Sequence, residues 1–335
     1  MADGRRPDPA VTVIVTGAAG FVGFHVAQAL LARGEAVIGV DNLNAYYDVG
    51  LKQARLAQLQ DHAGFSFHRA DVADKAAMFP LFDGSGATGI VHLAAQAGVR
   101  FSLEDPWAYV SSNVMGHVTV LEAARRLPRL EHLVYASSSS VYGGNTKLPF
   151  AEADPVDTPV SVYAATKRAD ELMSHAYWHL YGLPQTGLRF FTVYGPWGRP
   201  DMAYYSFAEA ILAERPITLY DDGRLKRDFT YIDDIVAGVL ACLDRPPASG
   251  DKPPVFNLGN NRGEYVSDLV ALLESGLGRK AVVQTTPRPV ADVAETCADL
   301  DAIRQWVGYT PTTPLDVGIP RFLEWFLAYR GRNAS

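Results

Sequence analysis

Short β-branched runs alternate with segments of helical spacing through the first part of the chain. Val11-Thr12-Val13-Ile14-Val15 is continuously apolar apart from one threonine, as expected of a parallel strand buried on both faces. Residues 21–33 follow with apolar positions at helical spacing and stop at Gly34. The same strand pattern returns at residues 36–40 before Asp41, at 65–70 before Asp71, at 89–93 before Ala94-Ala95, at 132–136 before a serine run, and at 186–191 before Thr192. Strands alternating with helices predict an α/β fold, a Rossmann-type doubly wound parallel sheet. Right-handed crossovers then place every strand end on one edge, where such sheets bind ligands.

The texture changes after Tyr194, where Gly195-Pro196-Trp197-Gly198-Arg199-Pro200 reads as a loop and prolines and aromatics become frequent. The expected organisation is a disordered tail over residues 1–9, mainly a Rossmann domain over 10–194, and a smaller C-terminal substrate-binding cap over 195–330. Segments near 227–258 are expected to return to the sheet. No internal repeat or low-complexity tract is evident.

Of the 335 residues, 48% are hydrophobic and 20% charged, which suits a packed globular core. A net charge of −7 argues against a nucleic-acid surface. The two cysteines, Cys242 and Cys297, suit a reduced, cytoplasmic protein better than a disulfide framework. The apolar stretch at residues 11–31 is interrupted by glycine and polar positions, and reads as neither signal peptide nor membrane span. Histidines are scattered; His175 and His179 form an i, i+4 pair without a third ligand, so no metal is expected.

The chemistry lies at the strand ends. Gly17, Gly20 and Gly23 are spaced GxxGxxG between strand and helix, so the backbone can approach a pyrophosphate at the helix N-terminus, with Phe21 and Val22 opening that helix. Asp41 can accept bonds from both ribose hydroxyls and repels a 2′-phosphate, which favours NAD over NADP. Asn42 follows it, Asp71-Val72 would sit beside adenine, and Ala94-Ala95 would leave room for the centre of the cofactor. Tyr163 lies four residues before Lys167, so both side chains share one helix face. A lysine ammonium beside a phenol favours the phenolate, and a hydroxyl from the run Ser137–Ser140 could share the proton. Together these motifs point to redox chemistry on an alcohol.

From about residue 11 to residue 329 the chain resembles the extended short-chain dehydrogenase/reductase family. Within it, the likeness is to the nucleotide-sugar 4-epimerases, most of all the branch acting on UDP-glucuronate. The resemblance is carried by Asp41-Asn42-Leu43-Asn44-Ala45-Tyr46-Tyr47-Asp48, by Ala95-Gln96-Ala97-Gly98-Val99-Arg100, by residues 189–203 and by Arg227-Asp228-Phe229-Thr230-Tyr231-Ile232-Asp233-Asp234. It implies that Tyr163 is the base, that Lys167 favours its phenolate and holds the nicotinamide ribose, that Ser138 shares the proton and that Asn113 completes the catalytic framework. Ser139, Ser140, Thr192 and Arg199 are expected to hold a sugar carboxylate, with Arg100 as a further candidate. Met202 is expected beside the sugar, Arg227 on the diphosphate, and Arg288 and Asp292 on uridine. In relatives proline often precedes the tyrosine and proline-glycine precedes the uridine-loop aspartate; here Val162 and Val290-Ala291 stand there.

The resemblance implies an NAD-dependent isomerase for a UDP-sugar that works as a homodimer. The acidic residue that dehydratases and decarboxylases place after the catalytic hydroxyl is replaced by Ser139 and Ser140, which favours plain epimerisation. A neutral UDP-hexose epimerase, a UDP-glucuronate decarboxylase and a non-catalytic NAD-binding sensor remain alternatives at this stage.

Overall fold

The computed structural model describes residues 11–289 and 293–333. The expected tail at residues 1–9 and the candidate Asp292 lie outside the described residues. Seven strands form the central sheet: β1 (Thr12–Thr16), β2 (Ala36–Asp41), β3 (Phe65–Arg69), β4 (Gly89–His92), β5 (His132–Ser138), β6 (Gln185–Phe190) and, after a long excursion, Val255–Leu258. That last strand becomes β10 once the cap strands β7 (Thr192–Tyr194), β8 (Pro216–Tyr220) and β9 (Lys226–Tyr231) are counted; β11 (Gly263–Tyr265) and β12 (Val282–Thr286) follow it. The order is β10-β6-β5-β4-β1-β2-β3, and every pairing in it is parallel. The direction of winding therefore reverses between β1 and β4, which opens a crevice at their carboxyl ends.

The first helices are α1 (Phe21–Ala32), α2 (Val49–Gln60), α3 (Lys75–Phe82), the short α4 (Pro106–Tyr109), α5 (Gly116–Ala124) and α6 (Val162–Tyr181). They are followed by α7 (Ala203–Leu212), α8 (Ile232–Leu243), α9 (Val266–Leu277), α10 (Asp301–Val307) and α11 (Leu315–Asn333). The continuous apolar run of β1 is explained by its two covered faces. Val13 and Val15 pack with Phe24, Leu30 and Val239 of α1 and α8, whereas Ile14 packs with Val120 and Leu121 of α5 and Phe82 of α3.

The C-terminal part forms a smaller cap. It holds a three-stranded sheet of order β11-β9-β7 and a two-stranded sheet β12-β8, with α9 and α11 packed together. Of the segment expected to return, β10 joins the central sheet and α8 packs on it beside α1, but β9 does not. It pairs with β7 and β11 instead, because Thr192 begins a new strand immediately beyond β6 and turns the chain away from the sheet. Strand β5 extends to Ser138, two residues beyond the predicted end, so the serine run begins inside the strand. Among the described residues no helix is long and apolar enough to cross a membrane.

Candidate active site

The crevice between the carboxyl ends of β1 and β4 is a single cleft that continues past β5 and α6 to the loop after β7. Its floor is the glycine turn. Gly17 has φ +73°, and a Cβ there would meet the Ala94 backbone nitrogen at 2.8 Å. A Cβ on Gly23 would fall 2.0 Å from the Gly17 carbonyl oxygen, so α1 could not pack this closely on the turn. The first helical turn of α1 thus faces the cleft with free backbone N–H groups, the arrangement a pyrophosphate needs.

Asp41, at the end of β2, is anchored by two backbone donors. Ala19 N–H donates to Oδ2 at 3.1 Å and Leu43 N–H to Oδ1 at 2.8 Å. Each oxygen keeps further acceptor capacity, and Asp41 lines the cleft, which suits a ribose diol. Asn42 is braced by Asp71, whose Oδ2 accepts from Asn42 Nδ2 at 2.9 Å, while its Oδ1 accepts from Ala73 N–H at 2.9 Å. Asp71 itself is outside the lining, and Val72 next to it lines the cleft. Lys52 of α2 also lines this end and donates to Asn44 Oδ1 at 2.6 Å. Among the residues present, the glycine turn, Asp41 and the small Ala94 and Ala95 fit a dinucleotide.

At the other end, α6 begins under Ser161, whose hydroxyl accepts from Ala164 N–H at 3.1 Å. That cap puts Tyr163 in the first turn of α6 and Lys167 one turn deeper, and both line the cleft with Ser138. The Tyr163 ring stands edge-on to Tyr109, centroids 5.9 Å apart. Lys167 is buried, donating to the Ala136 carbonyl at 2.9 Å and to Asp170 Oδ2 at 3.1 Å. Asn113 sits behind the cleft in a π-helical turn, Val110–Met115, and is fully buried. Its Oδ1 accepts from Gln96 N–H at 2.8 Å, and its Nδ2 donates to Gln96 O at 3.1 Å and Thr166 Oγ1 at 2.9 Å. It ties the loop after β4 to α6 one residue before Lys167.

The third wall is the loop after β7. Buried Arg55 of α2 holds it, donating to the Trp197 carbonyl at 2.7 Å and the Gly198 carbonyl at 3.0 Å. The same guanidinium donates to the Ala19 carbonyl of the glycine turn at 2.9 Å. Arg199 and Met202 then line the cleft. Asp201 pairs with Arg199 and accepts from the Tyr46 hydroxyl at 3.2 Å. Burial and the Asp201 charge push the Tyr46 phenol up to about 12. Burial opposes the Arg199 charge, but Asp201 more than offsets it and holds the guanidinium above its ordinary range.

The cleft thus gathers Gly17, Gly20, Phe21, Val22, Gly23, Asp41 and Asn42 with Ala94, Ala95, Ser138, Tyr163 and Lys167. Ser139 and Ser140 lie in the 3-10 turn just beyond it, where Ser140 N–H donates to Ser138 Oγ at 3.2 Å, and Thr192 opens β7. Three arginines expected to meet substrate stand outside the lining of this cleft. Arg100 stacks on Tyr220, 4.8 Å from the ring centroid, and Arg288 pairs with Asp221, so both converge on the cap rim. Arg227 donates to the Lys226 carbonyl at 2.8 Å, because β9 left the central sheet and carries it into the cap. Asn44, Tyr46, Lys52, Gln96 and Ser112 line the cleft without having been singled out. Asn44, Tyr46, Gln96 and Asp201 stood inside the motifs that carry the resemblance; Lys52 and Arg55 carried no signal by spacing alone.

Residues 13–259 match the NAD dependent epimerase/dehydratase family. The chain is 49% identical over 332 residues to UDP-glucuronate 4-epimerase 4 of Arabidopsis thaliana, covering 95% of this chain and 76% of the plant protein. The crystal structure of UDP-glucuronic acid 4-epimerase from Bacillus cereus, in complex with UDP-glucuronic acid and NAD, superposes with TM-score 0.87 at 32% identity, covering 95% of this chain and all of that one. UDP-glucose 4-epimerase from Thermotoga maritima superposes with TM-score 0.86 at 28% identity, covering 96% of this chain and all of that one.

Proposed function

This chain belongs to the NAD dependent epimerase/dehydratase family, and from that premise we propose that it is an NAD-dependent UDP-glucuronate 4-epimerase, interconverting UDP-glucuronate and UDP-galacturonate. The observation that carries the reading is the convergence of Ser138, Tyr163 and Lys167 with Arg199 on the cleft floored by the glycine turn. Residues 10–194 mainly hold the cofactor, and 195–330 mainly hold the UDP-sugar.

NAD, held by the glycine turn and Asp41, would supply a reversible hydride acceptor for carbon 4. Tyr163 takes the proton of the 4-hydroxyl and later gives it back, with Ser138 sharing it and Lys167 favouring the phenolate. Inversion requires that the sugar turn about its diphosphate link between the two transfers. The protein must therefore grip the UDP firmly and the sugar loosely. Arg227 on the diphosphate, and Arg288 with Asp292 toward uridine, are the cap residues we assign to that grip.

The 4-keto sugar of this substrate is a β-keto acid, which loses carbon dioxide when its carboxylate bond aligns with the carbonyl π system. Ser139, Ser140, Thr192 and Arg199 supply donors that can hold the carboxylate out of that alignment, with Arg100 as a more remote candidate. No acid follows Ser138 to promote elimination. The working unit is a homodimer. Trp107 on α4, Leu103 just before it, and Leu172 and Leu180 on α6, are exposed on neighbouring elements and suit a face for a second copy. The two free cysteines fit a reduced, cytoplasmic setting.

The test is incubation of the protein with UDP-glucuronate and NAD, with products separated by chromatography and identified by NMR. UDP-galacturonate without UDP-pentose is expected. A UDP-pentose as main product would instead make decarboxylation the activity, and turnover of UDP-glucose alone would assign a neutral substrate.

A further inference from the structure

We propose that Asp170 is a positioning residue for Lys167, one that aims the ammonium into the cleft and offsets part of its charge, and so sets how strongly Tyr163 is drawn to its phenolate. This rests on the reading of Tyr163 as the base and Lys167 as its partner.

The two side chains lie one turn apart on α6, with Nζ 3.1 Å from Oδ2, and their side chains are 5% and 1% exposed. With the Ala136 carbonyl at 2.9 Å, Asp170 occupies two of the three ammonium donors and leaves one for the cleft. Asp170 Oδ1 is buried and has no hydrogen-bond partner among the described residues. A carboxylate retained only as a structural acceptor would bind donors through both oxygens, because an unmet buried oxygen is costly. Here the single contact is the one with Lys167, so the charge itself is the distinctive contribution.

The neighbouring groups are bonded to other partners or kept uncharged. On α6, Glu171 is adjacent, but both its oxygens are engaged by Arg189 of β6, at 2.8 and 2.9 Å, and Ser137 donates to it at 2.6 Å. His117 of α5 bonds Ser174 at 2.8 Å, and His92 of β4 bonds Thr16 at 2.7 Å. Burial keeps both imidazoles neutral, with His92 lowered to about 3, so neither competes as a cation. The Tyr135 phenol of β5 is pushed up by burial and stays uncharged. Burial raises the Asp170 carboxyl to about 6 against the opposing pull of Lys167, so the offset is present at neutral pH and fades in mild acid.

The substitution Asp170→Asn keeps an acceptor for Lys167 and removes the charge, while Asp170→Leu removes both. Tyrosinate absorbance is titrated in the NAD-bound protein, with the corresponding Tyr163→Phe proteins as blanks because the chain has 16 tyrosines. The Tyr163 signal and the acid limb of kcat/KM are both expected to move to lower pH in Asp170→Asn, by roughly half to one unit. Asp170→Leu is expected to lower kcat as well, through loss of aim. Asp170→Ser, smaller and uncharged, is expected to give the same direction of pH shift and serves if the asparagine variant folds poorly. A proportional fall in kcat with an unmoved titration would make Asp170 purely structural and overturn the proposal. The titration needs no substrate, so absence of UDP-glucuronate turnover would count against the substrate reading and leave this one standing.

Discussion

Asp201 takes the guanidinium of Arg199 along one edge: Nε donates to Oδ1 at 3.0 Å, and Nη2 donates to Oδ2. A second carboxylate would have to use the remaining Nη1–Nη2 edge, in competition with an ion pair already made. Under the proposed function Arg199 would meet a sugar carboxylate as half of a neutral pair, in keeping with a site that holds its sugar loosely between two hydride transfers.

Arg199→Ala is expected to raise the KM for UDP-glucuronate by roughly 10- to 100-fold, the effect of losing a charged hydrogen bond of about 1.5–3 kcal/mol. The share of UDP-pentose among products should rise, and binding of UDP-glucose should be unchanged. Steady-state kinetics and product NMR measure all three. If KM and pentose level both stay where they were, Arg199 has no part in holding the carboxylate.

Arg55 joins the glycine turn to the Arg199 loop through three backbone carbonyls. Arg55→Met strands those buried acceptors, so a stability loss of at least ~2 kcal/mol is expected in urea unfolding, together with weaker NAD binding by calorimetry. Unchanged NAD affinity in a destabilised variant would confine Arg55 to a packing role.

Removal of the Asp41 charge removes the repulsion of a 2′-phosphate. In Asp41→Asn the preference for NAD over NADP should fall by roughly tenfold, equal to about 1.4 kcal/mol. Binding titrations with both cofactors decide this; an unaltered ratio would mean that another group selects the cofactor.

His92 and His117 stack 5.4 Å apart in the interior, and burial lowers both. Because the unfolded chain binds more protons than the folded one below pH 6.5, their contribution to stability falls as pH drops from there toward about 3. Burial raises Asp170 and Asp228 to about 6, and these act in the opposite direction between 3.8 and 6. Comparison of His92→Gln with the parent isolates the imidazole. The variant should lose less stability between about pH 7 and about pH 4.5, by on the order of a few kcal/mol in denaturant midpoints. Parallel loss in both proteins would show that His92 does not drive acid lability.

Trp107 is 81% exposed, and Leu172 of α6 is 55% exposed. If a second copy covers them, Trp107→Glu with Leu172→Glu should sediment as a monomer where the parent sediments as a dimer. A parent already monomeric at micromolar concentration would remove the homodimer from the proposal.

Much of the fold and half of the site were legible because their signals are local. Continuous apolar runs, a glycine spacing and a tyrosine four residues before a lysine each describe one element, and backbone geometry converts such spacing into a shared face or a tight turn. The parallel order of strands then brought their ends together, as α/β topology requires. Less accessible were β9, whose pairing depended on where the chain turned after Phe191, and the arginines. Arg100, Arg227 and Arg288 have long side chains whose heads can reach several partners, and the cap supplied Tyr220, the Lys226 carbonyl and Asp221.

By itself, then, the sequence determined the doubly wound sheet, the glycine turn under a dinucleotide and the Tyr163–Lys167 face, all properties of residues within a few positions of one another. Only the tertiary structure decided the contacts that adjust this chemistry. Tyr46 reaches Asp201 across 155 positions, Arg55 reaches Trp197 across 142, and Asn113 reaches Thr166 across 53. Asp170 was one polar residue among several on α6 until folding buried it against Lys167. Hydrogen bonds and ion pairs act over a few ångströms of space, so their partners are selected by how the elements pack and not by their distance along the chain.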